Sequence, residues 1–89
     1  MKAIVTVVGK DRVGIIAEVC TLIAHYNVNV LDISQTVMQG YFTMMMVVDV
    51  SAASLPLADL AKKLDSKGEA MSLSIRLQRE DIFDAMHRV

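Results

Sequence analysis

Apolar residues fall along this chain in successive runs whose period alternates between about two and about 3.6, and each change of period predicts a new element. Lys2–Val8 is β-branched and almost continuously apolar, which predicts a strand covered on both faces. From Ile15 to Tyr26, Ile16, Val19, Cys20 and Ile23 recur at helical spacing, and Ile15 and Leu22 widen the stripe. Asn27 follows as a left-handed helix stop. Val28–Gln39 returns to an extended pattern, with Leu31, Ile33 and Val37 alternating against Asp32, Ser34 and Thr36. Gly40 marks a hairpin turn, and Tyr41–Val50 is a third strand, again nearly continuous in apolar residues. Ser54 ahead of Pro56 predicts a serine-capped helix start, Leu57, Leu60, Ala61 and Leu64 supply an apolar face, and Gly68 is placed at the helix end. Met71, Leu73, Ile75 and Leu77 then alternate with Ser72, Ser74, Arg76 and Gln78 in a half-buried strand.

This order is that of a ferredoxin-like α+β sandwich, βαββαβ, with a four-stranded antiparallel sheet carrying two helices on one face. In that fold the first and third strands are central, and here they are the two continuously apolar runs. Residues 1–79 are expected to form one domain. Residues 80–89 are expected to form a short C-terminal amphipathic helix, with Ile82, Phe83 and Met86 at helical spacing. The sheet face opposite the helices should then be covered by this tail, by a partner subunit, or by both.

Composition sharpens that expectation. Of 89 residues 54% are hydrophobic and the mean hydropathy is +0.45, a large apolar share for a chain that buries only about 60% of its unfolded surface. No stretch reaches the roughly 20 apolar residues that span a bilayer, and the N-terminus lacks a signal-peptide pattern. Self-association, most simply as a homodimer, is the expected destination of the surplus. A net charge of −1 and a pI near 6.0 argue against nucleic acid and acidic membranes as partners. One cysteine permits no internal disulfide and fits a cytoplasmic location.

The richest chemistry lies in Gly9-Lys10-Asp11-Arg12-Val13-Gly14-Ile15-Ile16, between the first strand and the first helix. A glycine-bracketed turn running into a helix N-terminus offers unpaired N–H groups and positive dipole charge to a carboxylate. It is no phosphate loop, because the required glycine spacing is missing. The bland alternatives are an Asp11–Arg12 surface ion pair and a Gly14 that serves only helix–strand packing. His25 and His87 lack partners at metal-ligand spacing, so neither a metal nor another cofactor is expected. Met44, Met45 and Met46 read as strand filler on both faces or as a malleable contact surface.

Gly9 to Ala17, followed by Asn29-Val30-Leu31-Asp32-Ile33-Ser34-Gln35, resembles the ACT domain, a small ferredoxin-like module that senses amino acids and related metabolites. The look-alikes are stand-alone bacterial ACT proteins and the ACT units of the glycine cleavage system repressor and formyltetrahydrofolate deformylase. The resemblance implies a ligand site where the turn after the first strand meets the second-strand region, often across a subunit boundary. Asp11 would take a ligand ammonium, and Gly14 would allow close approach. The N–H groups of Gly14, Ile15 and Ile16 would receive the carboxylate, with Arg12 and Val13 completing the turn. Asn29 and Asp32 would contribute from the second strand, expected close to that turn. No catalytic or DNA-binding domain accompanies the motif, so regulation would act through the assembly itself or a separate protein partner. The other class is a ligand-free interaction module with the same fold. An enzyme is not expected, since no nucleophile–base pair, metal cluster or catalytic carboxylate pair is implied.

Overall fold

The computed structural model describes residues 1–81. Its elements are β1 (Lys2–Lys10), α1 (Ile15–His25), β2 (Asn29–Met38), β3 (Tyr41–Asp49), α2 (Leu57–Ala70) and β4 (Ser74–Arg79). They form the ferredoxin-like sandwich, one antiparallel sheet in the order β2-β3-β1-β4 with β1 and β3 central. The tail helix expected over residues 80–89 lies, from residue 82 onward, outside the described residues. Among the described residues no helix is long and apolar enough to cross a membrane.

Alternation decides which side chains enter the core. Ala3, Val5 and Val7 of β1 and Phe42, Met44, Met46 and Val48 of β3 point to the helices, joined by Ile75 of β4. Ile15, Val19 and Ile23 of α1 and Leu60 and Leu64 of α2 close the same cluster. The opposite sheet face carries Val8, Tyr41 and Met45, all exposed, whereas Ile4 on that face is buried. Met44 and Met46 are thus core filler and Met45 is surface, as strand geometry requires of three consecutive residues.

Two local expectations are corrected. Ser54 does not cap α2: Pro56 occupies the cap position without a side-chain bond, while the Ser54 hydroxyl and N–H both donate to the Tyr26 carbonyl. Gly68 does not end α2 but lies inside it, where a Cβ would meet the Leu73 carbonyl and Ile75 Cγ1, both at 3.0 Å. It is there so that β4 can pass close over the helix. The real stop is two turns of identical design. Asn27 and Ser72, both with φ near +60°, follow α1 and α2, and Val28 and Leu73 donate back to the Ile23 and Gly68 carbonyls at 3.2 and 2.8 Å. These are Schellman closures built without glycine.

The β2–β3 hairpin turns through Gln39 and Gly40, both left-handed, which is the conformation a two-residue hairpin needs. A bulge between Val30 and Asp32 breaks the alternation of β2, so that Val30 and Ile33 both fall on the helix side. Leu31, Ile33 and Val37, the apolar residues whose alternation predicted β2, remain 48%, 43% and 55% exposed. Neither α1 nor α2 reaches far enough across the sheet to cover them.

Candidate functional site

The turn after β1 owes its shape to Gly14. It sits at the N-terminus of α1 with φ 89° and ψ 0°, a left-handed conformation that β-branched neighbours such as Val13 would resist. A Cβ on Gly14 would meet nothing within 4 Å, so the glycine serves backbone conformation and not packing. Its carbonyl accepts the Glu18 N–H at 2.9 Å, the first helical bond, and no side chain caps the helix start. The N–H groups of Ile15 and Ile16 therefore open the first turn without an intrahelical acceptor. Ile15 anchors that turn in the core, Ile16 is at the surface, and Val13 stands 98% exposed beside them.

Two residues, Asp11 and Arg12, fix the turn to the rest of the domain. The Asp11 N–H donates to the Gly40 carbonyl at 2.8 Å, tying the turn to the β2–β3 hairpin. Arg12 does not pair with Asp11. Its guanidinium grips Glu18 through two bonds of 3.1 and 2.9 Å and also donates to the Met71 carbonyl at 3.3 Å, at the C-terminus of α2. A cation there is favoured by the α2 dipole. Glu18 escaped the sequence reading because the left-handed Gly14 and the change from loop to helix lie between it and Arg12, so neither a helical nor a strand period relates the two residues. Beyond the Arg12 clamp, a groove of about 600 Å³ runs between the helices, lined by Glu18, Leu22, His25, Tyr26, Lys67 and Met71 among others.

The hydrogen bond from Arg12 holds the Glu18 carboxyl below its ordinary range, and bonds from Ser51 do the same for Asp49. A carboxyl titrating lower in the folded chain binds fewer protons than its unfolded counterpart, so its contribution to stability is full above the unfolded value and disappears as pH falls through the lowered one. Thermal melts should accordingly lose midpoint temperature from about pH 5 downward. Arg12→Ala should flatten part of that acid limb while leaving the share of Asp49.

Asn29 and Asp32 do not join this turn within one chain, contrary to the proximity expected from the sequence. Asn29 pairs with Asp49, which pairs with Lys2 at the start of β1, whereas the turn follows Lys10 at its end. Eight residues of strand separate the two ends, about 25 Å. Asp32 is on the sheet face away from the helices, opposite Val47, and its Oδ1 accepts the N–H of Ile33 at 2.8 Å. Asp11, Arg12, Val13, Gly14, Ile15 and Ile16 thus form one cluster, and Asn29 and Asp32 a second at the other end of the sheet. Among the described residues no group of three or more His, Cys, Asp or Glu could hold a metal.

A family model of the ACT domain matches residues 2–78. A UPF0237 protein of Bifidobacterium longum is 53% identical over 88 residues, covering 99% of this chain and 98% of its own. The solved structure of an ACT domain protein from Streptococcus pneumoniae shares 45% identity and a TM-score of 0.83, over 98% of both chains. A formyltetrahydrofolate deformylase from Pseudomonas syringae matches at TM-score 0.78 and 22% identity, over 88% of this chain and 27% of its own, a likeness of fold.

Proposed function

Because the chain belongs to the ACT domain family, we propose that it is a small regulatory module that binds an amino acid or related metabolite at a boundary between two copies of itself. The observation that carries this reading is the Gly14 turn, an uncapped helix start with open space around a left-handed glycine. A ligand carboxylate would be received by the N–H groups of Gly14, Ile15 and Ile16, and the Asp11 carboxylate would take its ammonium. Asn29 and Asp32, at the far end of the same sheet, would serve the turn of a second copy. Arg12 is assigned a structural part, since Glu18 and the α2 C-terminus already occupy its guanidinium. The module is regulatory, not catalytic, and acts by population shift: a ligand bound between copies favours one quaternary arrangement, which a separate cytoplasmic protein can read.

Thermal-shift screening against the common amino acids tests this directly. A ligand at 100 times its Kd should stabilise the protein by about 2.7 kcal/mol, a rise in midpoint of roughly 10 °C or more. Silence across the whole set would leave the ligand-free assembly module as the better reading.

A further inference from the structure

The groove between α1 and α2 is lined by rows of side chains with a step of four. Glu18, Leu22 and Tyr26 descend along α1, and Lys67 and Met71 face them from the end of α2. Leu22, Tyr26 and Met71 are half-buried against the core and form an apolar floor. The His25 ring meets the Tyr26 ring edge-on, with centroids 5.0 Å apart, so the floor ends in an aromatic step at the C-terminus of α1. Thr21 on the rim is short and exposed, which keeps the groove open. Its volume of about 600 Å³ falls within the range of sites that hold small organic molecules, about 300–1,000 Å³.

Charge decides which molecules fit. Among the described residues Glu18 is the one acid on the lining, and Arg12 neutralises it through both carboxylate oxygens. Lys67 is exposed and, among the described residues, enters no ion pair. The carbonyl end of α2 would by itself repel an anion. It is covered at Met71 by the Arg12 guanidinium, which donates to that carbonyl at 3.3 Å. The groove thus joins an apolar floor to an unneutralised cation, and it offers no uncompensated carboxylate to an ammonium.

We propose that this groove binds a small organic anion with an apolar body, an aryl-alkyl carboxylate in chemical class, whose carboxylate lies at Lys67. Its body rests on Leu22, Tyr26 and Met71. A ring is favoured over a straight alkyl chain, because Tyr26 offers an aromatic contact and Met71 a polarisable sulfur. This site is separate from the Gly14 turn and differs from it in kind. The turn pairs N–H groups with the Asp11 carboxylate and so suits a zwitterion, whereas the groove suits an anion without an ammonium.

The test is a titration of the isotope-labelled full chain with 4-phenylbutyrate and, in parallel, with its uncharged amide, followed by NMR. The carboxylate should shift the signals of Leu22, Tyr26 and Met71 and saturate with a Kd of about a millimolar or below, the ordinary range for a ligand of this size. The amide should bind about threefold to fivefold more weakly, the share that an exposed ion pair supplies. Lys67→Gln should bring the carboxylate down to the level of the amide and leave the amide unchanged. Thr21→Phe fills the groove from an exposed helix position, so its melting midpoint should stay near wild type while binding of both probes is lost.

Four results would overturn the proposal. They are no saturable binding of 4-phenylbutyrate up to about 10 mM, shifts centred on Ile15 and Ile16 instead of the groove, a carboxylate preference that survives in Lys67→Gln, and a folded Thr21→Phe protein that binds as well as wild type. Equal binding of acid and amide by the wild type likewise rejects an anion site. The probe has no ammonium, so its failure leaves the amino-acid reading standing, and silence of the amino acids in the thermal screen leaves this site standing.

Discussion

Replacing Leu64 with alanine should lower the stability of this domain by about 2–5 kcal/mol, the range for deleting a buried leucine side chain in a core that cannot fully collapse. Leu64 is 1% exposed and lies between Leu60 and Gly68 on the stripe of α2 that faces the sheet. Gly68 leaves no side chain that could swing into the vacated space, and Ile75 is already held against the helix backbone. A chain of this length has a total stability of only about 4–13 kcal/mol. The midpoint should therefore drop by about 10 °C or more in thermal melts. Leu57→Ala on the same helix, at a half-buried position, should cost less than half as much. Equal losses at the two positions would show that the burial gradient along α2 has been misread.

The second large effect belongs to the candidate site. Gly14→Ala places a Cβ in empty space yet should still cost about 1–2 kcal/mol, because the penalty comes from the left-handed backbone and not from a clash. Gly14→Asn should recover most of that loss, since asparagine tolerates this region of backbone space. The ranking separates conformation from packing: crowding would make the larger asparagine the worse variant. Relaxing the turn also re-aims the N–H groups of Ile15 and Ile16. The amino-acid-induced rise in midpoint should accordingly shrink in Gly14→Ala more than in Arg12→Ala, whose side chain braces the turn from behind. Chemical denaturation with and without ligand reads both effects together.

Gly68 and Ser54 show how far local rules reach. A glycine near the end of an apolar stripe and a serine two residues before a proline are both ordinary helix-boundary signals. Each was used otherwise here, Gly68 for the close passage of β4 and Ser54 for the Tyr26 carbonyl. Both partners lie on other elements: Tyr26 is 28 residues from Ser54, and Ile75, only seven residues beyond Gly68, returns to it because β4 folds back over the helix. Asn27 is the opposite case. Its left-handed stop depends only on the turn it terminates, and it was readable in advance.

The sequence by itself determined the elements and their order, because the period of apolar residues is a local property that survives without knowledge of any neighbour. It also determined which strands are central, since the two unbroken apolar runs are β1 and β3, although among the described residues the face of those strands away from the helices still exposes Val8, Tyr41 and Met45. Tertiary structure alone decided the geometry of the candidate site. The register of β2 on β3 and of β3 on β1 sends Asn29 to one end of the sheet and Gly14 to the other. The limited reach of α1 and α2 leaves the helix side of β2 bare. Register and coverage are set by pairing between distant segments, where one residue of slip moves every side chain to the other face. That is why a motif legible as a single site is, in one folded chain, two separated halves.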